Sequence, residues 1–213
     1  MSMTIEQIMN ISPIVPVVKI EDLNDAVPLA KALIDGGINI MELTLRTPVA
    51  LEAIALIAKE VPQMCIGAGT VCDEIQLEQV LDVDARFAFS PGISKELIQC
   101  AFGNSIPFIP GVATASEVMT ALNHGIKYCK LFPASVVGGI ELLKGFQGPF
   151  GSMYFCPTGG INLKNMNDYL ALGNVSCVGG TWIVDPKLIK EKNFDKITTL
   201  CKEALQQVNL IKG

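Results

Sequence analysis

Three side chains stand out as able to do chemistry. The segment Tyr128-Cys129-Lys130-Leu131-Phe132-Pro133 buries a lysine inside an apolar, strand-like run, whereas the other thirteen of the fourteen lysines fall in helical, loop or terminal positions. Such a lysine either snorkels outward or points into the interior, and a covering layer of helices blocks the outward route. An amine held inside is partly desolvated, which favours its neutral, nucleophilic form, the form that attacks a ketone to build an imine. A buried structural pair with Glu42 is the other reading of Lys130.

The segment Ile38-Asn39-Ile40-Met41-Glu42-Leu43-Thr44-Leu45-Arg46 alternates polar and apolar residues. With a period of two, Glu42, Thr44 and Arg46 share one face, and Met41, Leu43 and Leu45 the other. A carboxylate and a guanidinium on the inner side of a buried strand are costly unless they are paired or used. A Glu42–Arg46 ion pair that closes the top of the fold is the structural alternative. Arg46 and Arg86 are the only two arginines, and Arg86, at the start of a strand-like run, reads as a stabilising residue. Two Gly-Gly pairs, Gly159-Gly160 after Thr158 and Gly179-Gly180 before Thr181, follow the last two apolar runs. Such loops let backbone N–H groups approach a phosphate or carboxylate, although most Gly-Gly pairs are turns. Gly67-Ala68-Gly69-Thr70 reads equally as a small-residue site or as close packing.

The elements that must position these residues repeat along the chain. Eight short apolar runs lie at 14–18, 38–45, 65–71, 87–90, 107–112, 128–133, 154–158 and 175–181. Amphipathic segments at 25–35, 48–60, 94–101 and 115–124 separate some of them, and helix-start signals precede these. Thr47 reads as a cap before Pro48, with Ser94 and Thr114 as caps further on, while Gly36-Gly37, Gly103 and Gly125 read as left-handed ends. Buried strands alternating with helices predict a parallel α/β architecture. Eight units predict a (β/α)8 TIM barrel, a single domain over residues 1–213, with an extra N-terminal helix at 5–9 and a closing helix at 194–208. A doubly wound open sheet is the alternative. In a barrel of this kind chemistry belongs at the C-terminal ends of the strands.

Composition excludes several classes. Charged residues make up 17% of the chain and hydrophobic ones 50%, with a formal net charge of −5. That argues against disorder, against a coiled coil and against a nucleic-acid surface. Residues 145–163 lack charge but hold too many Gly and Pro for a membrane helix. The N-terminus shows no secretory pattern. Seven widely spaced cysteines with no C-x-x-C motif predict reduced thiols and a cytoplasmic protein. A single histidine, His124, reads as a helix-end or surface residue and makes a multi-histidine zinc site impossible. No metal and no cofactor are therefore expected, and an amine mechanism is favoured over a metal-assisted one. No phosphate-binding P-loop or dinucleotide fingerprint is present.

Six motifs in order, Glu42-Leu43-Thr44-Leu45-Arg46-Thr47, Gly67-Ala68-Gly69-Thr70-Val71, Ser90-Pro91-Gly92, Ile109-Pro110-Gly111, Lys130-Leu131-Phe132-Pro133-Ala134 and Pro157-Thr158-Gly159-Gly160, are those of a known family. Over roughly residues 5–208 the chain resembles the 2-keto-3-deoxy-6-phosphogluconate / 4-hydroxy-2-oxoglutarate aldolases. The resemblance implies a class I, Schiff-base carbon–carbon lyase on a (β/α)8 barrel, a homotrimer acting on a phosphorylated 2-keto acid. It implies that Lys130 forms the imine and Glu42 is the general acid/base. Arg46 and Thr70 would hold the pyruvyl carboxylate, with Thr158 in the same pocket and Pro91 and Phe132 as apolar walls. Gly159, Gly160, Gly180 and Thr181 would bind phosphate. Thr181 stands where the family commonly has serine, and Leu131 where many members have a second aromatic. Alternatives are a 2-keto-3-deoxy-6-phosphogalactonate aldolase, or an isomerase or synthase on a phosphate-binding barrel.

Overall fold

A computed structural model describes residues 3–212; of the domain expected over 1–213, residues 1, 2 and 213 lie outside the described residues. The strands are β1 Ile14–Val18, β2 Ile40–Thr44, β3 Cys65–Gly69, β4 Ala88–Phe89, β5 Phe108–Ile109, β6 Gly111–Val112, β7 Tyr128–Leu131, β8 Tyr154–Pro157 and β9 Val178–Gly180. β1, β2 and β3 are buried at every position. Strands covered on both faces need such continuous apolar runs, and parallel strands are the ones so covered.

Every strand pairing is parallel. The strands fall into a six-stranded sheet, in the order β5-β4-β3-β2-β1-β9, and a three-stranded sheet, β6-β7-β8. The run at 107–112, expected as one strand, is divided by Pro110 into β5 and β6. Proline has no N–H to give the ladder, but its carbonyl still accepts from Lys130 N at 2.8 Å. At the other margin, isolated parallel bridges join Phe155 to Val175 and Thr158 to Gly179. The result is a parallel α/β fold on curled sheets.

Helices α1 Ile5–Met9, α2 Ala26–Asp35, α3 Ala50–Glu60, α4 Glu74–Asp82, α5 Lys95–Gly103, α6 Ala115–Asn123, α7 Gly139–Gln147, α8 Met166–Leu170, α9 Pro186–Lys190 and α10 Phe194–Lys212 cover the sheets. α1 is the expected extra helix, closed by a Thr4/Gln7 capping box, with Ile8 and Met9 buried. Ser94 caps α5 by accepting from Leu97 N at 3.1 Å. Thr114 and Glu117 form a reciprocal capping box on α6, satisfying two otherwise orphaned donors.

Two of the expected caps are corrected. Thr47 does not cap α3: its Oγ1 donates to Ile20 O at 2.6 Å, Pro48 lies in a preceding turn, and the helix begins at Ala50. Gly103 is the last residue of α5 rather than a left-handed end; Ser105 takes the positive φ there, at 57°. Gly37 and Gly125 do take it, with φ of 90° and 76°.

All seven cysteines are free thiols, and Cys65, Cys129, Cys156, Cys177 and Cys201 are buried. Burial disfavours the thiolate and pushes Cys65 up to about 11 and Cys129 and Cys201 to about 12. Because the thiolate is the nucleophile, brief alkylation of the native protein at pH 8 should label Cys72 and Cys100 only. Mass spectrometry should find all seven cysteines modified after unfolding; rapid native labelling of Cys129 would contradict this packing.

Candidate active site

The site is built on the inward face of β2. Glu42 and Thr44 point inward, both almost fully buried. Thr44 Oγ1 is taken up by Val18 O of the neighbouring strand at 2.8 Å, which leaves Glu42 as the polar group facing the interior. Its partner comes from β7, in the other sheet. Lys130 Nζ donates to Glu42 Oε1 at 2.8 Å and to Oε2 at 3.0 Å, and the two side chains are 5% and 2% exposed. Glu42 therefore pairs with Lys130 and not with Arg46. Small residues give the pair its room. In register, Lys130 lies beside Gly111 and Glu42 beside Gly67. A Cβ on Gly69 would overlap the Glu42 carboxylate, and one on Gly67 would overlap the Phe87 ring.

Burying two charges is expensive, and this geometry offsets the expense with two short charge-assisted hydrogen bonds. It also makes the pair a proton-transfer unit. Moving one proton from Nζ to Oε leaves a neutral amine and a carboxylic acid, a nucleophile and an acid in contact. The Nζ lies 5.2 Å from the centroid of the Phe89 ring and 5.3 Å from that of Phe132. Phe132 was expected from the sequence and Phe89 was not. Nothing local in the sequence marks Phe89, the last residue of β4, as a neighbour of Lys130.

Phe132 also borders a cavity of about 210 Å³, whose lining includes Arg46, Thr158, Gly159, Gly160, Gly180 and Thr181. The structure thus brings together, from four separate segments, most of the residues singled out in the sequence. Arg46 Nε donates to Thr70 Oγ1 at 3.2 Å. Thr70 holds a left-handed backbone, φ 62°, a conformation that costs a non-glycine residue about 1–2 kcal/mol. Thr158 Oγ1 has two long contacts, to Cys156 O at 3.4 Å and to Cys156 Sγ at 3.8 Å. Gly159 and Gly160 have φ of 98° and 79°, and the Gly160 N–H has no acceptor among the described residues. Asn165, absent from the sequence reading, pins this loop: its Nδ2 donates to Gly160 O at 3.0 Å, and its Oδ1 accepts from Asn162 N at 2.8 Å.

Other positions fall outside this cluster. Pro91 lines a neighbouring cleft with Val71, Cys72 and Ser90. Arg86 donates to Pro62 O at 3.0 Å, next to the start of β3. His124 caps α6, with Nδ1 2.8 Å from Thr120 O. A larger cleft, about 510 Å³, lies between residues 19–25 and 186–192. None of the residues singled out in the sequence lines it, and Lys19 there is tied to Glu21 at 2.7 Å. Among the described residues no group of three or more His, Cys, Asp or Glu is placed to hold a metal ion. None of the described helices is long and apolar enough to cross a membrane.

Known proteins share this arrangement of chain. The profile of the KDPG and KHG aldolase family matches residues 5–200. The chain is 50% identical over 200 residues to the 2-dehydro-3-deoxy-phosphogluconate aldolase of Dickeya dadantii, covering 94% of each. It is 45% identical over 205 residues to the KHG/KDPG aldolase of Escherichia coli K12, covering 96% of each. A crystal structure of the KDPG aldolase of Legionella pneumophila, with pyruvate captured at low pH as a covalent carbinolamine, superposes with a TM-score of 0.93 at 48% identity. That match covers 95% of this chain and 98% of that one.

Removing one partner of a buried pair leaves the other charge uncompensated, at about 3–5 kcal/mol, while removing both together costs far less. Lys130→Met and Glu42→Gln should each lower unfolding free energy in urea, Lys130→Met the more. The double variant should be more stable than Lys130→Met alone. Strictly additive losses would show that the two side chains do not meet.

Proposed function

The chain belongs to the KDPG and KHG aldolase family, and on that premise we propose that it cleaves 2-keto-3-deoxy-6-phosphogluconate to pyruvate and glyceraldehyde 3-phosphate, and 4-hydroxy-2-oxoglutarate to pyruvate and glyoxylate. The observation that carries this reading is the buried Lys130 Nζ in hydrogen-bonding contact with both oxygens of Glu42. Glu42 accepts a proton from Nζ, and the neutral amine attacks the C2 ketone to give a carbinolamine. Return of that proton to the C2 hydroxyl expels water and leaves an iminium. The Glu42 carboxylate then removes the C4 hydroxyl proton. The C3–C4 bond breaks, its electron pair is drawn to the iminium, and the aldehyde departs from an enamine. Glu42 returns the proton to C3, and hydrolysis of the iminium frees pyruvate and the amine.

Arg46 and Thr70 grip the keto-acid carboxylate. The Arg46 guanidinium keeps terminal donors beyond the Nε already bonded to Thr70, and Arg–carboxylate bonds are the strong, directional kind. Thr158 lines the same pocket. Gly159, Gly160, Gly180 and Thr181 offer backbone and hydroxyl donors to the phosphate, and Pro91 walls the adjoining cleft.

We read the two sheets as one (β/α)8 ring in a single domain over 1–213. In support, a single residue, Pro110, separates β5 from β6, and the Thr158–Gly179 bridge ties β8 to β9. Seven free thiols favour a reducing cytoplasm. Exposed Phe102, on α5, and Met119 and Leu122, on α6, offer an apolar surface for a homotrimer.

Pyruvate with borohydride should add one reduced adduct, on the peptide holding Lys130, and none to Lys130→Met; labelling of another lysine would overturn the assignment. Glu42→Gln should lower kcat for both substrates by about 10²–10⁴-fold, the usual share of general acid/base catalysis. Thr181→Ala should raise KM about tenfold for the phosphorylated substrate, the loss of one hydrogen bond to a charged group, and leave 4-hydroxy-2-oxoglutarate unchanged. Equal effects of Thr181→Ala on the two would remove that residue from phosphate binding.

A further inference from the structure

Phe89 has no part in the proton transfers, yet its ring lies against the reacting nitrogen. It is wholly buried, and the Phe87 ring meets it edge-on, at 5.5 Å between centroids and 90° between planes. Phe87 is in turn seated on bare Gly67. The Nζ of Lys130 stands 5.2 Å over the Phe89 ring and 5.3 Å over that of Phe132, which comes from a different segment. A cation within about 6 Å of a ring centroid is attracted by the ring quadrupole, more so when water is excluded.

We propose that Phe89 is a charge-stabilising catalytic residue: with Phe132 it forms an aromatic wall that holds positive charge on the Lys130 nitrogen and so favours the iminium over the carbinolamine. The inference rests on Lys130 being the imine-forming residue. In the step concerned, the C2–O bond of the carbinolamine breaks and oxygen leaves as water with a proton from Glu42. The nitrogen lone pair closes the C=N bond, and a full positive charge appears on nitrogen. The nearby carboxylate can answer that charge only while it is ionised, and it must gain a proton in the very next step. A ring face neither takes nor gives a proton, so its attraction persists while Glu42 changes state. The aromatic wall thereby separates charge stabilisation from proton transfer, which a single carboxylate cannot do alone.

Near-isosteric replacement of Phe89 by mono-, di- and trifluorophenylalanine weakens the ring's negative face step by step at almost constant shape. At a fixed, subsaturating pyruvate concentration, borohydride quenching and intact-mass analysis measure the fraction held as iminium. The expected result is a graded fall along the series, about three- to tenfold in total, with an unchanged melting temperature. Phe89→Leu should show at least as large a loss, and Phe89→Tyr should restore trapping. A trapped fraction independent of fluorine number, with Phe89→Leu still impaired, would reduce the ring to packing and overturn the proposal. Absence of any adduct in the unsubstituted protein would instead overturn the role of Lys130, and this inference with it.

Discussion

A salt bridge sealed from water between two strands of different sheets is the constraint around which this molecule is arranged. Lys130 and Glu42 are separated by 88 residues of chain, and each would be intolerable inside a protein without the other. Much of the surrounding composition follows from keeping them in contact. Gly67, Gly69 and Gly111 are bare because larger side chains would collide with the carboxylate, with Phe87 or with the Pro91 backbone. Thr44 turns its hydroxyl to a neighbouring carbonyl instead of competing for Glu42. The interior is thus shaped as much by two polar groups as by the apolar cluster that encloses them.

On the proposed function, the two ends of a bound substrate would meet different kinds of recognition. Arg46 and Thr70, coupled by a hydrogen bond, present a side-chain grip. The glycine loops present main chain, held in place by Asn165 and by hydrogen bonds from Ala134 N and Ser135 N to Thr158 O and Gly159 O. Side chains can be re-aimed by single substitutions, whereas a main-chain cradle depends on φ values that only glycine adopts readily. On that reading, selectivity at the keto-acid end and at the far end would change independently.

Much of this was legible in the sequence, for physical reasons. Lys130 and Glu42 stood out because charge within an apolar, period-two run has few explanations. Gly159-Gly160 stood out because it follows a strand, whereas Gly179-Gly180, expected as a second such loop, lies within β9. Other features left no local trace. Pro110 divides a run that reads as continuous, because apolar pattern does not report hydrogen-bond partners. Thr47 looks like a helix cap, and only the tertiary structure offers its hydroxyl the Ile20 carbonyl instead. Phe89 reads as one more core aromatic, since proximity to a nitrogen on another sheet is a property of the folded chain. Asn165 acts through loop backbone, which composition does not reveal.

The division of the site between the sheets has a further consequence. Glu42, Arg46 and Thr70 lie before the exposed turn at Asn104–Ser105, and Lys130, Thr158, Gly160 and Thr181 lie after it. A chain cleaved there would give two fragments, one with Glu42 and no Lys130, the other with Lys130 and no Glu42, which on the proposed mechanism separates base from nucleophile. Turnover would then belong only to the reassembled pair, so that catalysis itself would serve as a complementation signal for the joining of the two halves.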